Sequence, residues 1–391
     1  MLTSSFAPWP SFTPEEINAV CRVLESNRVN YWTGEQGRAF EAEFASFAKT
    51  QHAVALANGT VALDLALMAL QIGAGDEVVV TPRTFLASAS SVINAGAVPV
   101  FADIDRDSQN VTPESIEAVL TPRTRGIVCV HLAGWPCDMD GIMELADQRD
   151  LVVIEDCAQA HGALYREQPV GSIGHVGAWS FCQDKIMTTG GEGGMVTTDD
   201  PELWSCMWSY KDHGKSYKAV YETEHPPGFR WLHESFGTNW RMTELQAAIG
   251  RVQLGKLPTW SDQRRANAQV LIDGLGSVPG LRVPHPPAHV RHAYYRLYAY
   301  LETDKLRSQW SRDRVIAEIV EQGVPCFHGT CSEIYREKAF DDAPYRPAAA
   351  LPVAQELGST SLAFLVHPTL GGEAMQRTIE AVGETLQRAI I

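Results

Sequence analysis

The chain has 391 residues, about twice the length of a usual single domain, so one large core with a smaller companion is expected. Hydrophobic residues at 45% and charged residues at 20% fit a globular protein and exclude a disordered or fibrous one. A formal charge of −15 argues against a nucleic-acid surface, and it leaves a phosphate-bearing ligand dependent on local backbone N–H groups or a few placed cations.

The N-terminal stretch MLTSSFAPWPSFTPEE lacks a basic region followed by an apolar one, so no signal peptide is expected. The most apolar window, residues 53 to 73, is broken by Asn58, Gly59 and Asp64, and no membrane span is predicted. Eight cysteines are scattered without a C-x-x-C pair, which points to free thiols in a reducing cytoplasm.

Residues 12 to 27 read as an entry helix, with Thr13 as cap and Pro14 in the first turn. From about 53 to 200, short apolar runs, most of them rich in Val and Ile, alternate with helical text: DEVVVTP, AVPVFADI, RGIVCVHLAG, DLVVIEDCA and GAWSFCQ. Such runs predict buried strands of a mostly parallel sheet in an α/β core. Residues 241 to 275 carry a long amphipathic pattern, and the text from about 276 reads as a smaller α+β unit with a strand at YYRLYAYL and a helix near 311 to 322. The division expected is 1–255 for an N-terminal arm and large domain and 256–391 for a small C-terminal domain.

In a parallel α/β sheet, ligands lie beyond the carboxyl ends of the strands, so the residues that follow each run carry the chemistry. Asp156 closes LVVIED, where a buried carboxylate must be exposed, capped or paired with a cation such as a protonated ring nitrogen. Lys185 follows GAWSF, and a lysine and an aspartate at successive strand ends are what pyridoxal phosphate chemistry needs. A helix cap and a surface lysine are the plainer alternative. Gly59 and Thr60 start an apolar helix whose free N–H groups can cradle an anion, or which Asn58 or Thr60 simply caps. Ser180 offers a further hydroxyl.

Other signals are weaker. His285, His289 and His292 are interrupted by Pro286 and Pro287, so no metal site is expected. Residues 214 to 216, GKS, have Ser209 where a phosphate-binding loop needs glycine, and no strand is followed by G-x-G-x-x-G.

Seven stretches in order, NGTVAL (58–63), TPRTF (81–85), PVFADID (99–105), VHLAGWPCDMD (130–140), IEDCAQAHGA (154–163), SFCQDKIMTTGGEGGM (180–195) and GTNWRMTELQAAIG (237–250), resemble the DegT/DnrJ/EryC1/StrS family of pyridoxal phosphate-dependent nucleotide-sugar aminotransferases. The resemblance implies a type I aminotransferase fold: a large domain with a mostly parallel seven-stranded sheet and a smaller C-terminal α+β domain. It also implies that Lys185 bonds the cofactor's aldehyde carbon and later moves a proton to the sugar carbon, and that Asp156 pairs with the ring nitrogen. Gln159 would lie near the phenolic oxygen and Phe85 would stack on the ring. Gly59, Thr60 and Ser180 would hold the phosphate, with Asn239 reaching it from a neighbouring subunit, so a homodimer with shared sites is implied.

The lysine loop is similar to K-x-x-T-T-G-E-G-G, the form associated with C4 of a 4-keto-6-deoxy sugar, whereas C3 enzymes more often read K-N-L-G-x-x-G-D-G-G. Here Gly190 and Gly191 together add one residue before Glu192. Arg83 stands where a small or apolar residue is common. His328 is a candidate sugar or nucleotide contact. The implied function is transamination of such a sugar, with glutamate as donor, for O-antigen or other surface polysaccharide. Lysine rather than histidine at position 185 argues against a sugar dehydratase. The complete set Lys185, Asp156, Gln159 and Ser180 argues against a non-catalytic cofactor-binding regulator.

Overall fold

A computed structural model describes residues 6–391. Its centre is a seven-stranded sheet made of His52–Leu56 (β1), Glu77–Val80 (β2), Val98–Phe101 (β3), Thr124–Val130 (β4), Val152–Asp156 (β5), Val176–Ser180 (β6) and Gly194–Thr198 (β7). The order across it is β1-β7-β6-β5-β4-β2-β3. All neighbours run parallel except β7, which is antiparallel to both β1 and β6. The five runs read as strands are β2 to β6. Their β-branched residues are buried because helices cover both faces, which is why they read as continuous apolar text.

The entry helix is Pro14–Glu25 (α1), closed at its start by a reciprocal pair in which Thr13 bonds the first turn and Glu16 bonds back to the Thr13 N–H at 2.9 Å. Gln36–Ala48 (α2), Gly59–Ala69 (α3) and Ala87–Asn94 (α4) follow. The side chain of Asn58 accepts from the N–H of Val61 at 3.0 Å and starts α3 directly after β1.

The long helix Glu244–Leu275 (α5) begins with a similar Thr243 and Gln246 pair and contains Pro258. Its first half packs on α1 and α2. Ala268, Leu271, Ile272 and Leu275 from its second half join a separate core with Leu281–Arg282 (β8), Leu297–Leu301 (β9), Cys326–Phe327 (β10), Ser361–Phe364 (β11) and the helix Gly372–Ala389 (α6). This smaller sheet is antiparallel, in the order β8-β9-β11-β10. The helix expected near 311 to 322 is Arg312–Glu321. The cysteines are all free, and no helix among the described residues is long and apolar enough to cross a membrane.

Candidate active site

Strands β5 and β6 lie side by side, with Asp156 in register with Ala178, so Asp156 and Ser180 end neighbouring strands at the same edge of the sheet. Lys185 follows Ser180 by five residues. Asp156 is buried. Its Oδ1 accepts from the N–H of Ala158 at 3.1 Å, and its Oδ2 accepts from Ser88 Oγ on α4 at 2.9 Å. Burial pushes its carboxyl up, against those two hydrogen bonds and the nearby charge of Lys185. A carboxylate held in this state is stabilised by a cation placed against it.

The other groups converge on the same edge. A Cβ built on Gly59 would sit 2.5 Å from the Cβ of Ser180, so only glycine lets the start of α3 come this close to the end of β6. Phe85, three residues before the Ser88 that bonds Asp156, is 70% exposed, an aromatic face left to solvent. The Oε1 of Gln159 accepts from the N–H of Ala133 at 2.8 Å, which fixes its amide near the end of β5. Lys185 is largely buried, with Nζ 3.7 Å from Asp184 Oδ1 and 5.4 Å from the ring centre of Tyr295. Its carbonyl accepts from Trp9 Nε1 at 2.8 Å, so the N-terminal arm is fastened to the lysine loop.

An aromatic face, a buried acid that calls for a cation, and a helix start beside a serine hydroxyl fit the ring, the ring nitrogen and the phosphate of pyridoxal phosphate. Lys185 stands within charge range of the acid.

Two predicted residues sit on other segments of the chain. His328 is exposed, its Nε2 3.3 Å from Asp313 Oδ1, on the edge of the small sheet. Asn239 is exposed on a loop and pairs with Asp212 across an antiparallel bridge. The added glycine is absorbed by two consecutive left-handed residues, Gly190 at φ +90° and Gly191 at φ +134°. Thr188 steadies this turn, its Oγ1 donating to the Phe181 carbonyl at 2.9 Å and accepting from the Gly191 N–H at 3.2 Å. Arg83 does not face solvent. It is wholly buried, with Nε donating to Gln109 Oε1 at 2.8 Å and its guanidinium 5.4 Å from the Tyr298 ring centre.

Glu155, next to Asp156, escaped the sequence reading. It accepts from His131 Nε2 at 2.9 Å and from the N–H groups of Gly171, Ile173 and Gly174 at 2.8, 2.8 and 2.6 Å. Burial pushes its carboxyl up, but the His131 hydrogen bond and the backbone donors outweigh it and hold the group below the usual range. The N–H of Cys137 donates to His131 Nδ1 at 3.0 Å, which places the ring proton on Nε2, toward Glu155. His131, Glu155 and Cys157 group their ligand atoms within 4.8 Å, yet the hydrogen bonds already made occupy the histidine and the carboxylate.

The profile of the DegT/DnrJ/EryC1/StrS aminotransferase family matches residues 10–383. A dTDP-3-amino-3,4,6-trideoxy-alpha-D-glucose transaminase from Streptomyces venezuelae is 36% identical over 98% of this chain and 95% of its own. A GDP-perosamine synthase from Escherichia coli O157:H7 is 34% identical over 96% of each. The crystal structure of an aminotransferase from Psychrobacter cryohalolentis superposes with a TM-score of 0.97 at 62% identity, covering 98% of this chain and 99% of that one. The chain belongs to the DegT/DnrJ/EryC1/StrS aminotransferase family and is a pyridoxal phosphate-dependent enzyme.

Proposed function

We propose that the enzyme transfers the amino group of glutamate to C4 of a nucleotide-linked 4-keto-6-deoxy sugar, in the cytoplasm, for O-antigen or related surface polysaccharide. The names of the relatives support a nucleotide-linked sugar as acceptor. The reading of C4 is carried by one observation, the run Lys185, Ile186, Met187, Thr188, Thr189, Gly190, which has the residues of the C4 pattern. Pyridoxal phosphate, when bound, supplies an electrophilic carbon and an electron sink.

The chain's own groups divide the remaining work. Lys185 holds the cofactor and then, as a free amine, moves a proton at Nζ to and from the sugar carbon. Asp156 keeps the ring nitrogen protonated by offering it a buried negative charge, and Ser88 orients that carboxylate. Gln159 serves the phenolic oxygen, Phe85 stacks on the ring, and Gly59, Thr60 and Ser180 bind the phosphate. Asn239 is exposed on its own subunit because it completes the phosphate site of a second copy, which makes the working unit a homodimer. His328 is the candidate contact for sugar or nucleotide.

A second reading, amination at C3, has its own support. Lys185 and Glu192 are seven residues apart, the spacing of lysine and acid in K-N-L-G-x-x-G-D-G-G and one more than in the C4 pattern. The Streptomyces venezuelae relative is named for a 3-amino sugar. The test is to supply the holoenzyme with glutamate and with GDP-, dTDP- and UDP-linked 4-keto and 3-keto sugars in turn, and to locate the new amino group by NMR. A 4-amino product is expected, a 3-amino product replaces the first reading with the second, and no product from any keto sugar removes both.

A further inference from the structure

A cavity of about 300 Å³ opens against the lysine loop, between the N-terminal arm, α5 and the small sheet. Asp184, Trp9, Arg264, Arg296 and His367 line it. Two guanidinium groups face it without a carboxylate partner among the described residues. Arg264, on α5, is 1% exposed, and its Nη1 reaches the carbonyls of Tyr294 and Tyr295 at 3.3 and 3.5 Å. Its Nε and Nη2 are buried and make no hydrogen bond, and neither does the buried Nη1 of Arg296.

Leaving buried guanidinium donors empty is costly, and placing two like charges at one cavity adds to the cost. Burial, with the Arg296 charge beside it, pulls Arg264 down to about 9. Burial and the same two arginines pull His367 down to about 3, so that ring is neutral at physiological pH. The one acid on the wall, Asp184, accepts from the Tyr295 hydroxyl and sits 3.7 Å from Lys185 Nζ, so it is already engaged. A strongly acidic protein has thus set aside a cationic cavity whose one acid, Asp184, stands 3.7 Å from its candidate catalytic amine.

We propose that Arg264 and Arg296 form an oxyanion subsite that binds a carboxylate or phosphate group of a substrate while its reacting end lies at Lys185. Guanidinium suits both groups because its fork of N–H donors matches two oxygens at once. Two sources carry that chemistry under the proposed amino transfer, on which their identity rests: a carboxylate of the amino donor and the diphosphate of the sugar nucleotide.

Arg296 is the residue to change, because Arg264 also holds two backbone carbonyls and its loss would disturb the fold. The affinity of glutarate and of inorganic pyrophosphate for the cofactor-loaded enzyme would be measured by titration calorimetry, for the wild type, Arg296→Ala and Arg296→Lys. Loss of one direct charge-assisted contact predicts binding about 10- to 100-fold weaker in Arg296→Ala, partly recovered in Arg296→Lys, with the cofactor absorbance unchanged. A loss confined to glutarate names the donor carboxylate, and one confined to pyrophosphate names the diphosphate. Should the wild type bind neither, or Arg296→Ala bind both within two-fold of the wild type, the subsite is overturned. If Arg296→Ala fails to fold, Arg296→Gln, which keeps much of the length, is read against the same thresholds. An enzyme that aminates no keto sugar yet loses pyrophosphate affinity in these variants keeps the subsite and loses the functional reading.

Discussion

Two carboxylates one residue apart at the end of β5 are both buried and have opposite fates. Side chains alternate across a strand, so Glu155 and Asp156 point to opposite faces of the sheet. On its face Glu155 meets a histidine and three backbone N–H groups, a full complement that leaves it charged and content. Asp156 meets one hydroxyl and one N–H, too few to offset its burial, and it faces the lysine loop. The first acid holds the loop from Gly171 to Gly174 against the sheet, and the second keeps an under-satisfied carboxyl within charge range of Lys185. The contrast shows how burial alone does not separate structure from function; the count of donors around the charge does.

The largest effect expected from breaking this contrast is on the open side. Asp156→Asn keeps the shape and removes the charge, so a protonated ring nitrogen loses its partner. We expect kcat to fall by about 10²- to 10³-fold with no loss of stability in the cofactor-free protein. Steady-state rates and a denaturant melt of the same preparation check both halves. An asparagine variant that unfolds but keeps its rate when folded would reverse the roles assigned to the two acids.

The closed side predicts the reverse pattern. Glu155→Gln leaves His131 without its anion and replaces an acceptor with a donor among backbone N–H groups, a cost of about 3–5 kcal/mol of folding stability. Per molecule of folded, cofactor-loaded enzyme, the rate should change by less than about three-fold, because Glu155 touches neither Lys185 nor Ser88 in the structure. Urea midpoints together with active-site titration give the two numbers.

The sequence made the open side legible and hid the closed one, for a physical reason. Asp156 ends an apolar run and Lys185 follows one within a few residues, so their position at the sheet edge follows from strand period and the rule for parallel sheets. Glu155 gives no such signal, since its partner His131 lies 24 residues away, just past the end of the neighbouring strand, and its other partners are main chain. Arg83 was equally opaque, because nothing local announces that Gln109 and the ring of Tyr298 will enclose it. Of the sheet, β2 to β5 were readable as branched aliphatic runs and β6 as a short apolar one. Strand β1 merged with the apolar text of α3, separated from it only by Ala57 and Asn58, and β7 followed the glycine-rich loop without a helix between. The Arg264 and Arg296 cavity depends on three segments far apart in the chain and left no local mark.

The smallest and sharpest difference between the two acids should appear in the pH dependence of stability. The carboxyl of Glu155 is held below its ordinary 4.5, so the folded state binds its proton less readily than the unfolded chain does. Its contribution is therefore present above pH 4.5 and is lost as the pH falls through the folded value. Asp156 is raised from 3.8, so its contribution is present below that pH and is lost as the pH rises through its folded value. In the cofactor-free protein, subtracting the stability curve of Glu155→Gln from that of the wild type should give a difference that shrinks toward acid. The same subtraction with Asp156→Asn should give one that shrinks toward neutral pH. Loading the cofactor should leave the first difference in place and flatten the second, because a protonated ring nitrogen placed against Asp156 supplies the charge that the fold alone withholds. Two differences that shrink in the same direction of pH would mean that the donors counted around these carboxylates do not decide their charge, and the division between a closed and an open face of β5 would fall with them.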